Sequence, residues 1–289
     1  MIDLKKLEKL IQLVLEEDVG SGDATTLAIV PEALCTEARF VVREDCVLAG
    51  LPVVEAVFRA LSDKVKMTCL SHDGDFCQKG TVVASVSGPA RAILTGERTA
   101  LNFLQRLSGV ATLTHRYVEA LGDSKTVLLD TRKTTPGLRL LEKYAVKMGG
   151  AQNHRIGLYD RVMIKDNHRA LAHWLGPDSI RRAVQACRDK YPALEIEVEA
   201  DTLQDVRDAA DCGVEYILLD NMSNETMAEA IKLNAGRAKL EASGNITLER
   251  LPSLRNLGLD YISVGALTHS APSIDIGLDI DIPEATTTN

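Results

Sequence analysis

Two cations flanked by hydroxyls on a short loop can hold an anion, and the sequence carries such a loop at Asp130-Thr131-Arg132-Lys133-Thr134-Thr135-Pro136-Gly137. Arg132 offers a planar fork that grips a carboxylate through two parallel bonds, and Lys133 a compact point charge. A second group follows at Gly149-Gly150-Ala151-Gln152-Asn153-His154-Arg155, where paired glycines let the backbone turn sharply and deliver His154 and Arg155 together. The third is Lys165-Asp166-Asn167-His168, which closes an apolar run. A lysine in that place is partly desolvated, so either an anion neutralises it or its pKa falls. The second alternative is the Schiff-base chemistry of a covalent catalyst. Opposite charges come from Glu195-Ile196-Glu197-Val198-Glu199, in which period-two alternation puts three carboxylates on one face, and from Asp220-Asn221. Glu199 and Asp220 offer the oxygen donors that Mg²⁺ prefers. Ser243-Gly244-Asn245 and Ser263-Val264-Gly265 expose backbone N–H groups at helix starts, where phosphates bind. Each feature also has a structural reading: a capped turn, a solvated helix face over 139–147, or buried ion pairs between these acids and bases.

Such residues act together only if the chain sets them at one end of one scaffold. After residue 125, short apolar strands at 126–130, 161–166, 195–200, 216–221, 239–244 and 261–265 alternate with helical patterns at 138–148, 179–190, 202–211, 223–235 and 247–257. The last four strands recur at a period that suits one strand plus one helix, which predicts parallel strands with right-handed crossovers. Almost every strand ends in a polar residue, and α/β barrels build their sites from strand C-termini. Six strands fall short of eight, so either one is hidden near 151–156 or the barrel is incomplete. Before residue 125 the pattern is that of a separate α+β unit. It has an amphipathic start at Ile2, Leu4, Leu7, Leu10, Ile11, Val14 and Leu15, a helix at 52–61, and β-rich runs at 38–48 and 65–86. A long helix over 90–121 follows, interrupted near Gly109. The threonine run at 286–288 reads as a frayed tail.

Composition narrows the function. The 289 residues are 45% hydrophobic and 26% charged, with no apolar run of the ~18 residues that a membrane span requires. A net charge of −8 argues against nucleic acid as a partner. The six cysteines form no C-x-x-C pair, and the first residues hold no apolar signal-peptide core, so the chain reads as a cytoplasmic protein with reduced thiols. Within the acidic total, residues 130–165 carry eight Lys and Arg against three acids, a local +5 set against −13 elsewhere. A small anionic ligand is the partner this asymmetry implies.

The ordered motifs resemble the quinolinate phosphoribosyltransferase family. The likeness is carried by Asp130–Gly137, Glu142-Lys143-Tyr144-Ala145-Val146, Gly149-Gly150, Asn153-His154-Arg155 and Ile164-Lys165-Asp166-Asn167-His168. It extends to Glu17-Asp18, Gly22-Asp23, Thr25-Thr26, Gly96-Glu97-Arg98-Thr99, Leu101-Asn102 and the two late Ser/Gly turns, and so spans nearly the whole chain. The resemblance implies an N-terminal α/β sandwich domain at 1–120, a partly open α/β barrel at 121–270, and a tail at 271–289 that packs back on the first domain. It also implies a Mg²⁺-dependent reaction in which quinolinate and phosphoribosyl pyrophosphate give nicotinate mononucleotide, pyrophosphate and CO₂ in NAD biosynthesis. Arg132, His154, Arg155 and Lys165 would then hold the two quinolinate carboxylates, with Arg98 reaching in from the neighbouring subunit of a homodimer or hexamer. Lys133, Glu199 and Asp220 would face the phosphoribosyl pyrophosphate and its metal, while Ser243, Gly244, Asn245, Ser263, Gly265 and His269 would take phosphate. Three rivals remain at this point: a phosphoribosyltransferase acting on another acid such as nicotinate, a Schiff-base aldolase using Lys133 or Lys165, and a non-catalytic phosphate-binding barrel. The density of cations favours a dicarboxylate over a monocarboxylate, and the carboxylates Glu199 and Asp220 bring nothing to a pure anion binder.

Overall fold

A computed structural model describes residues 7–174, 176 and 178–281, and the expected frayed tail at 286–288 lies outside them. The first elements are α1 (Glu8–Val19), α2 (Ala24–Ile29), β1 (Cys35–Val42), β2 (Cys46–Val47), α3 (Leu51–Leu61), β3 (Lys66–Cys69), β4 (Phe76–Cys77), β5 (Val82–Pro89) and α4 (Ala90–Leu121). Strands and helices then alternate through β6 (Val127–Leu129), α5 (Arg139–Met148), β7 (Val162–Ile164), α6 (Asp166–His173), α7 (Ser179–Lys190), β8 (Ile196–Ala200) and α8 (Leu203–Asp211). The last are β9 (Tyr216–Asp220), α9 (Asn224–Asn234), β10 (Lys239–Ser243), α10 (Leu251–Leu254), β11 (Tyr261–Ser263), α11 (Ala266–His269) and β12 (Ile276–Asp281). The described residues pack as two compact units: residues up to 115 with 135–150 and those from 270 on, and residues 116–134 with 151–269. Among them no helix is long and apolar enough to cross a membrane.

The first unit is built on an antiparallel sheet of order β12-β1-β5-β3. Alternation along β1 buries Ala38, Phe40 and Val42, and Phe40 meets Phe58 of α3 at a ring-centroid distance of 6.2 Å. Full burial of a side chain of this size is worth roughly 1.5–3 kcal/mol. The Asp73 carboxylate caps α3 by accepting the Gly50 and Leu51 amides at 2.8 and 3.1 Å.

Helix α4 corrects one expectation. It runs unbroken through Gly109, because the main chain of Pro272 passes so close that a Cβ there would sit 1.9 Å from the Pro272 carbonyl oxygen. Glycine at this position serves close packing rather than a break. The helix also turns hydroxyls inward: Ser108 and Thr112 accept the Ala49 and Val47 amides at 3.1 and 2.9 Å and so satisfy backbone that no strand pairs. In the same unit α5 is not a solvated face. Glu142 and Lys143 are buried, and Glu142 pairs with Arg106 at 2.7 Å while accepting the Thr135 amide and hydroxyl at 2.9 and 2.8 Å.

The second unit holds six parallel strands in the order β6-β11-β10-β9-β8-β7. From β7 the order follows the chain to β11 and then returns to β6, which is barrel order. Instead of a seventh strand near 151–156 there is one bridge, Leu129 to Gln152, and among the described residues nothing pairs across from there to β7. The barrel is therefore open on that side. Helices α7, α8 and α9 bury Ile180 and Val184, Val206, Ala209 and Ala210, and Met227 and Ala230 at three- and four-residue spacing. Thr202 with Asp205, and Ser223, cap α8 and α9 immediately after the strands whose ends matter below. Two local expectations fail: the pattern at 247–257 yields only the single turn α10, with Pro252 in its first turn, and α6 forms where no helix is anticipated.

Candidate active site

Alternation along the parallel strands stacks polar side chains in tiers inside the open barrel. At the N-terminal end of the strands, Arg161 lies 4.0 Å over the Tyr216 ring and 3.7 Å from Glu195, while the Lys239 ammonium meets the Tyr261 hydroxyl at 3.3 Å. One tier up, Glu197 and Glu241 face His154, with Nε2 to Oε2 distances of 3.1 and 3.5 Å, and Arg161 reaches Glu197 at 3.6 Å. At the C-terminal rim Lys165 meets Glu199 at 3.4 Å. The three glutamates of EIEVE thus share a face, each opposite its own cation. Of the two routes open to Lys165, the neutralising anion is the one observed.

Above these tiers lies a cavity of about 380 Å³ lined by Arg132, Lys133, His154, Arg155, Lys165, Glu199, Asp220, Ser243, Gly244, Asn245 and Ser263. The ends of β6, β7, β8, β9, β10 and β11 deliver all of them but His154 and Arg155, which follow the Gln152 bridge. Gly265 and His269 stand at its edge beside Lys133: a Cβ on Gly265 would fall 2.9 Å from Lys133 Cδ and 3.1 Å from His269 Nε2. Arg98 belongs to the other unit and is exposed on α4. Burial, and then the neighbouring Arg132 guanidinium, lower the Arg155 pKa from its ordinary value. Glu199 lines the cavity, whereas Glu197 is sealed beneath it, which separates two residues that alternation leaves on one face. A larger hollow of about 520 Å³ opens near Glu195, Glu215, Tyr216, Arg237 and Lys239, at the N-terminal ends of the strands. Its charges are spent on Arg161–Glu195, Arg188–Glu215 and Arg237–Asp211 pairs, and that end of a barrel serves stability.

The structure adds residues to those singled out from sequence. Asp201 brings a third carboxylate to Glu199 and Asp220, with one oxygen from each lying within 4.8 Å of the others. Asn221, at φ +53°, donates to Asp220 at 2.7 Å and accepts from Asn245 at 3.1 Å, linking two strand ends. Gly244, at φ +86°, is required beside it, since a Cβ there would lie 2.1 Å from the Asn221 side-chain oxygen. Arg250 ties the same two exits through the carbonyls of Met222 and Gly244 at 2.7 and 3.3 Å. Asp130, wholly buried, and Glu241 complete the set. Glu241 and Asp201 were accessible to the alternation argument, through Lys239-Leu240-Glu241-Ala242-Ser243 and one step beyond Glu199; the roles of Asn221, Arg250 and Asp130 depend on contacts with distant parts of the chain.

Together the tiers, the rim carboxylates and the cation cluster define an α/β-barrel protein with a cation-lined cavity at its strand C-termini. Family models of the quinolinate phosphoribosyl transferase N-terminal and C-terminal domains match residues 23–108 and 110–279, and the chain belongs to that family. It is 44% identical over 281 residues to the probable nicotinate-nucleotide pyrophosphorylase [carboxylating] of Bacillus subtilis, covering 96% of this chain and 94% of that one. A Synechocystis protein of the same name is 44% identical over 274 residues, covering 93% and 91% of the two chains. Among solved structures, NadC from Streptococcus pyogenes superposes with a TM-score of 0.92 at 42% identity, covering 98% of this chain and 99% of that one.

Proposed function

We propose that the chain transfers phosphoribosyl from phosphoribosyl pyrophosphate to the ring nitrogen of quinolinate and releases pyrophosphate and CO₂, giving nicotinate mononucleotide. The observation that carries this reading is one cavity in which Arg132, Lys133, Arg155 and Lys165 converge opposite Glu199 and Asp220. Quinolinate is a dianion, so the cluster matches its charge, and Arg132, Arg155 and Lys165, with His154 behind them, hold its two carboxylates. Lys133 and the turns at Ser243-Gly244-Asn245 and Ser263–Gly265, with His269, take the phosphates of the co-substrate. As the C1–pyrophosphate bond of the ribose breaks, positive charge grows on the sugar, and a fixed carboxylate nearby lowers the barrier; Glu199 and Asp220 are those groups. Once the ring nitrogen is alkylated, its positive charge stabilises the electron pair left on the ring carbon when the adjacent carboxylate departs as CO₂, and that carbon then takes up a proton from solvent to give the product. No covalent enzyme intermediate is needed.

The rim carboxylates also fit a divalent cation. Glu199, Asp220 and Asp201 present oxygen donors alone, the set a hard ion such as Mg²⁺ selects while keeping several waters. When bound, it supplies charge neutralisation to the departing pyrophosphate. We further assign Arg98 to the cavity of a neighbouring subunit in a homodimer or larger assembly, and place the protein in the cytoplasm, in keeping with six free cysteines. The test of the binding reading is Arg132→Ala and Lys165→Ala. Each should raise the KM for quinolinate at least tenfold, and unchanged values in both would remove the assignment.

A further inference from the structure

Lys133 is exposed, and its flexible four-carbon stem would let the ammonium wander unless backbone and stem are both fixed. Pairing of β6 with β11 ends just below it: Ser263 lies opposite Leu129, and the Val264 amide donates to the Leu129 carbonyl at 2.9 Å. Beyond that bond the two strand exits become the Asp130–Gly137 loop and the Ser263–Gly265 turn. Inside the loop, the Thr131 hydroxyl accepts the Lys133 amide at 3.0 Å and the Arg132 carbonyl accepts the Thr134 amide at 3.0 Å, so the loop keeps its own shape. Thr268, on α11 just past the turn, ties that shape to the barrel, because its hydroxyl donates to the Lys133 carbonyl at 2.7 Å. The Gly265 carbonyl lies 3.2 Å from the same hydroxyl, but it already accepts the Thr268 and His269 amides, both at 3.2 Å. The single hydroxyl proton therefore goes to Lys133. Thr268 is wholly buried, so water does not compete for it. The stem is placed by the same turn: a Cβ on Gly265 would fall 2.9 Å from Lys133 Cδ, so the stem passes through the room that the glycine leaves.

We propose that Thr268 is a positioning residue for the phosphoribosyl pyrophosphate half of the site: it fixes the Lys133 backbone against the Ser263–Gly265 turn, so that the ammonium and the turn meet the phosphates at a set spacing. Thr268 itself touches no substrate. Its hydroxyl faces a backbone carbonyl, and its amide closes the turn onto Gly265, so one residue joins two segments that come from different strand ends. Arg155 and Lys165 stand on segments that this hydroxyl does not bond, and quinolinate keeps both cations when the tie is cut. Sequence alone does not mark Thr268, since the carbonyl it serves lies 135 residues away.

The proposal rests on Lys133 taking a phosphate of phosphoribosyl pyrophosphate, and two measurements separate its failure from failure of that reading. In initial-rate kinetics, Thr268→Val, which keeps the shape and removes the donor, should raise the KM for phosphoribosyl pyrophosphate about tenfold while that for quinolinate stays within about threefold. Thr268→Ser, which keeps the donor, should recover most of the loss. In a Lys133→Ala background the bond to the backbone persists but no longer carries an ammonium, so Thr268→Val should add less than about twofold. A phosphoribosyl pyrophosphate KM unmoved in folded Thr268→Val would overturn the proposal. So would a loss shared equally by both substrates, or one repeated in full without the lysine, since either marks a merely structural role. An unchanged KM in Lys133→Ala alone would instead end the assignment of Lys133 to a phosphate. The tie itself is read in a crystal structure of Thr268→Val, whatever Lys133 binds: a displaced Lys133 carbonyl is the expected result, and an unmoved one overturns the proposal.

Discussion

Arg132 and Lys165 reach one cavity from strand ends and Arg155 from the loop after the Gln152 bridge, yet they are held differently, and the difference predicts how each responds to substitution. Lys165 already has Glu199 at 3.4 Å. Its removal therefore leaves a rim carboxylate unneutralised, and Lys165→Ala should weaken phosphoribosyl pyrophosphate binding as well as quinolinate binding, whereas Arg132→Ala should act on quinolinate alone. Initial-rate kinetics with each substrate varied in turn distinguish the two. The thiols give an independent check on burial. Burial, and then the neighbouring Cys77, push Cys46 up to about 12, so at pH 8 it stays a thiol. Iodoacetamide should label exposed Cys35 and spare Cys46 until the protein is unfolded, as read by peptide mass spectrometry. Residue chemistry was legible from sequence where it depended on neighbours in the chain. Strand alternation alone placed Glu195, Glu197 and Glu199 together. Asp130 was not legible, because its partners are the His154 amide and the Asn153 side chain, which only the fold brings near.

The strands of the second unit follow the apolar runs of the sequence closely, since each is short, continuous and ended by a polar residue that the rim requires. Helices are less legible, and Gly109 shows the reason. A mid-helix glycine signals a break in sequence, but here its lack of a side chain answers to Pro272, far along the chain. In an open helix, Gly→Ala stabilises by roughly 0.5–1 kcal/mol. Against a carbonyl oxygen 1.9 Å from the new Cβ, overpacking of roughly 1–3 kcal/mol or more wins. Gly109→Ala should therefore lower the melting temperature by several degrees in calorimetry, and an unchanged or raised value would mean that the Pro272 segment yields easily. Gly244 makes the same argument at the site. Gly244→Ala puts a side chain at φ +86° against Asn221, and it should raise the KM for phosphoribosyl pyrophosphate while leaving that for quinolinate within about twofold.

At the scale of the molecule, the acidic total of −8 conceals a basic window, and the structure divides that window. Arg132, Lys133, Arg155, Arg161 and Lys165 belong to the barrel unit, while Arg139, Lys143 and Lys147 lie on α5 in the other unit. Charge counted along the chain thus pointed to the right ligand class and overstated how many cations face it. The exposed Arg98 raises a further expectation. If it completes the site of a neighbouring subunit, mixing Arg98→Ala and Arg132→Ala proteins, assayed at a quinolinate concentration far below the raised KM of either variant, should restore activity, to about a quarter of wild type for a randomly reassorted dimer. No recovery after verified subunit exchange would place Arg98 in its own subunit's site or outside any site. The central claim concerns the reaction itself and has one direct test. The purified protein is incubated with quinolinate labelled at the 2-carboxylate, phosphoribosyl pyrophosphate and Mg²⁺, and labelled CO₂ and nicotinate mononucleotide are measured together. Equal amounts of both, dependent on phosphoribosyl pyrophosphate, are the predicted result; folded protein that releases neither, or turns over nicotinate in place of quinolinate, would contradict the account.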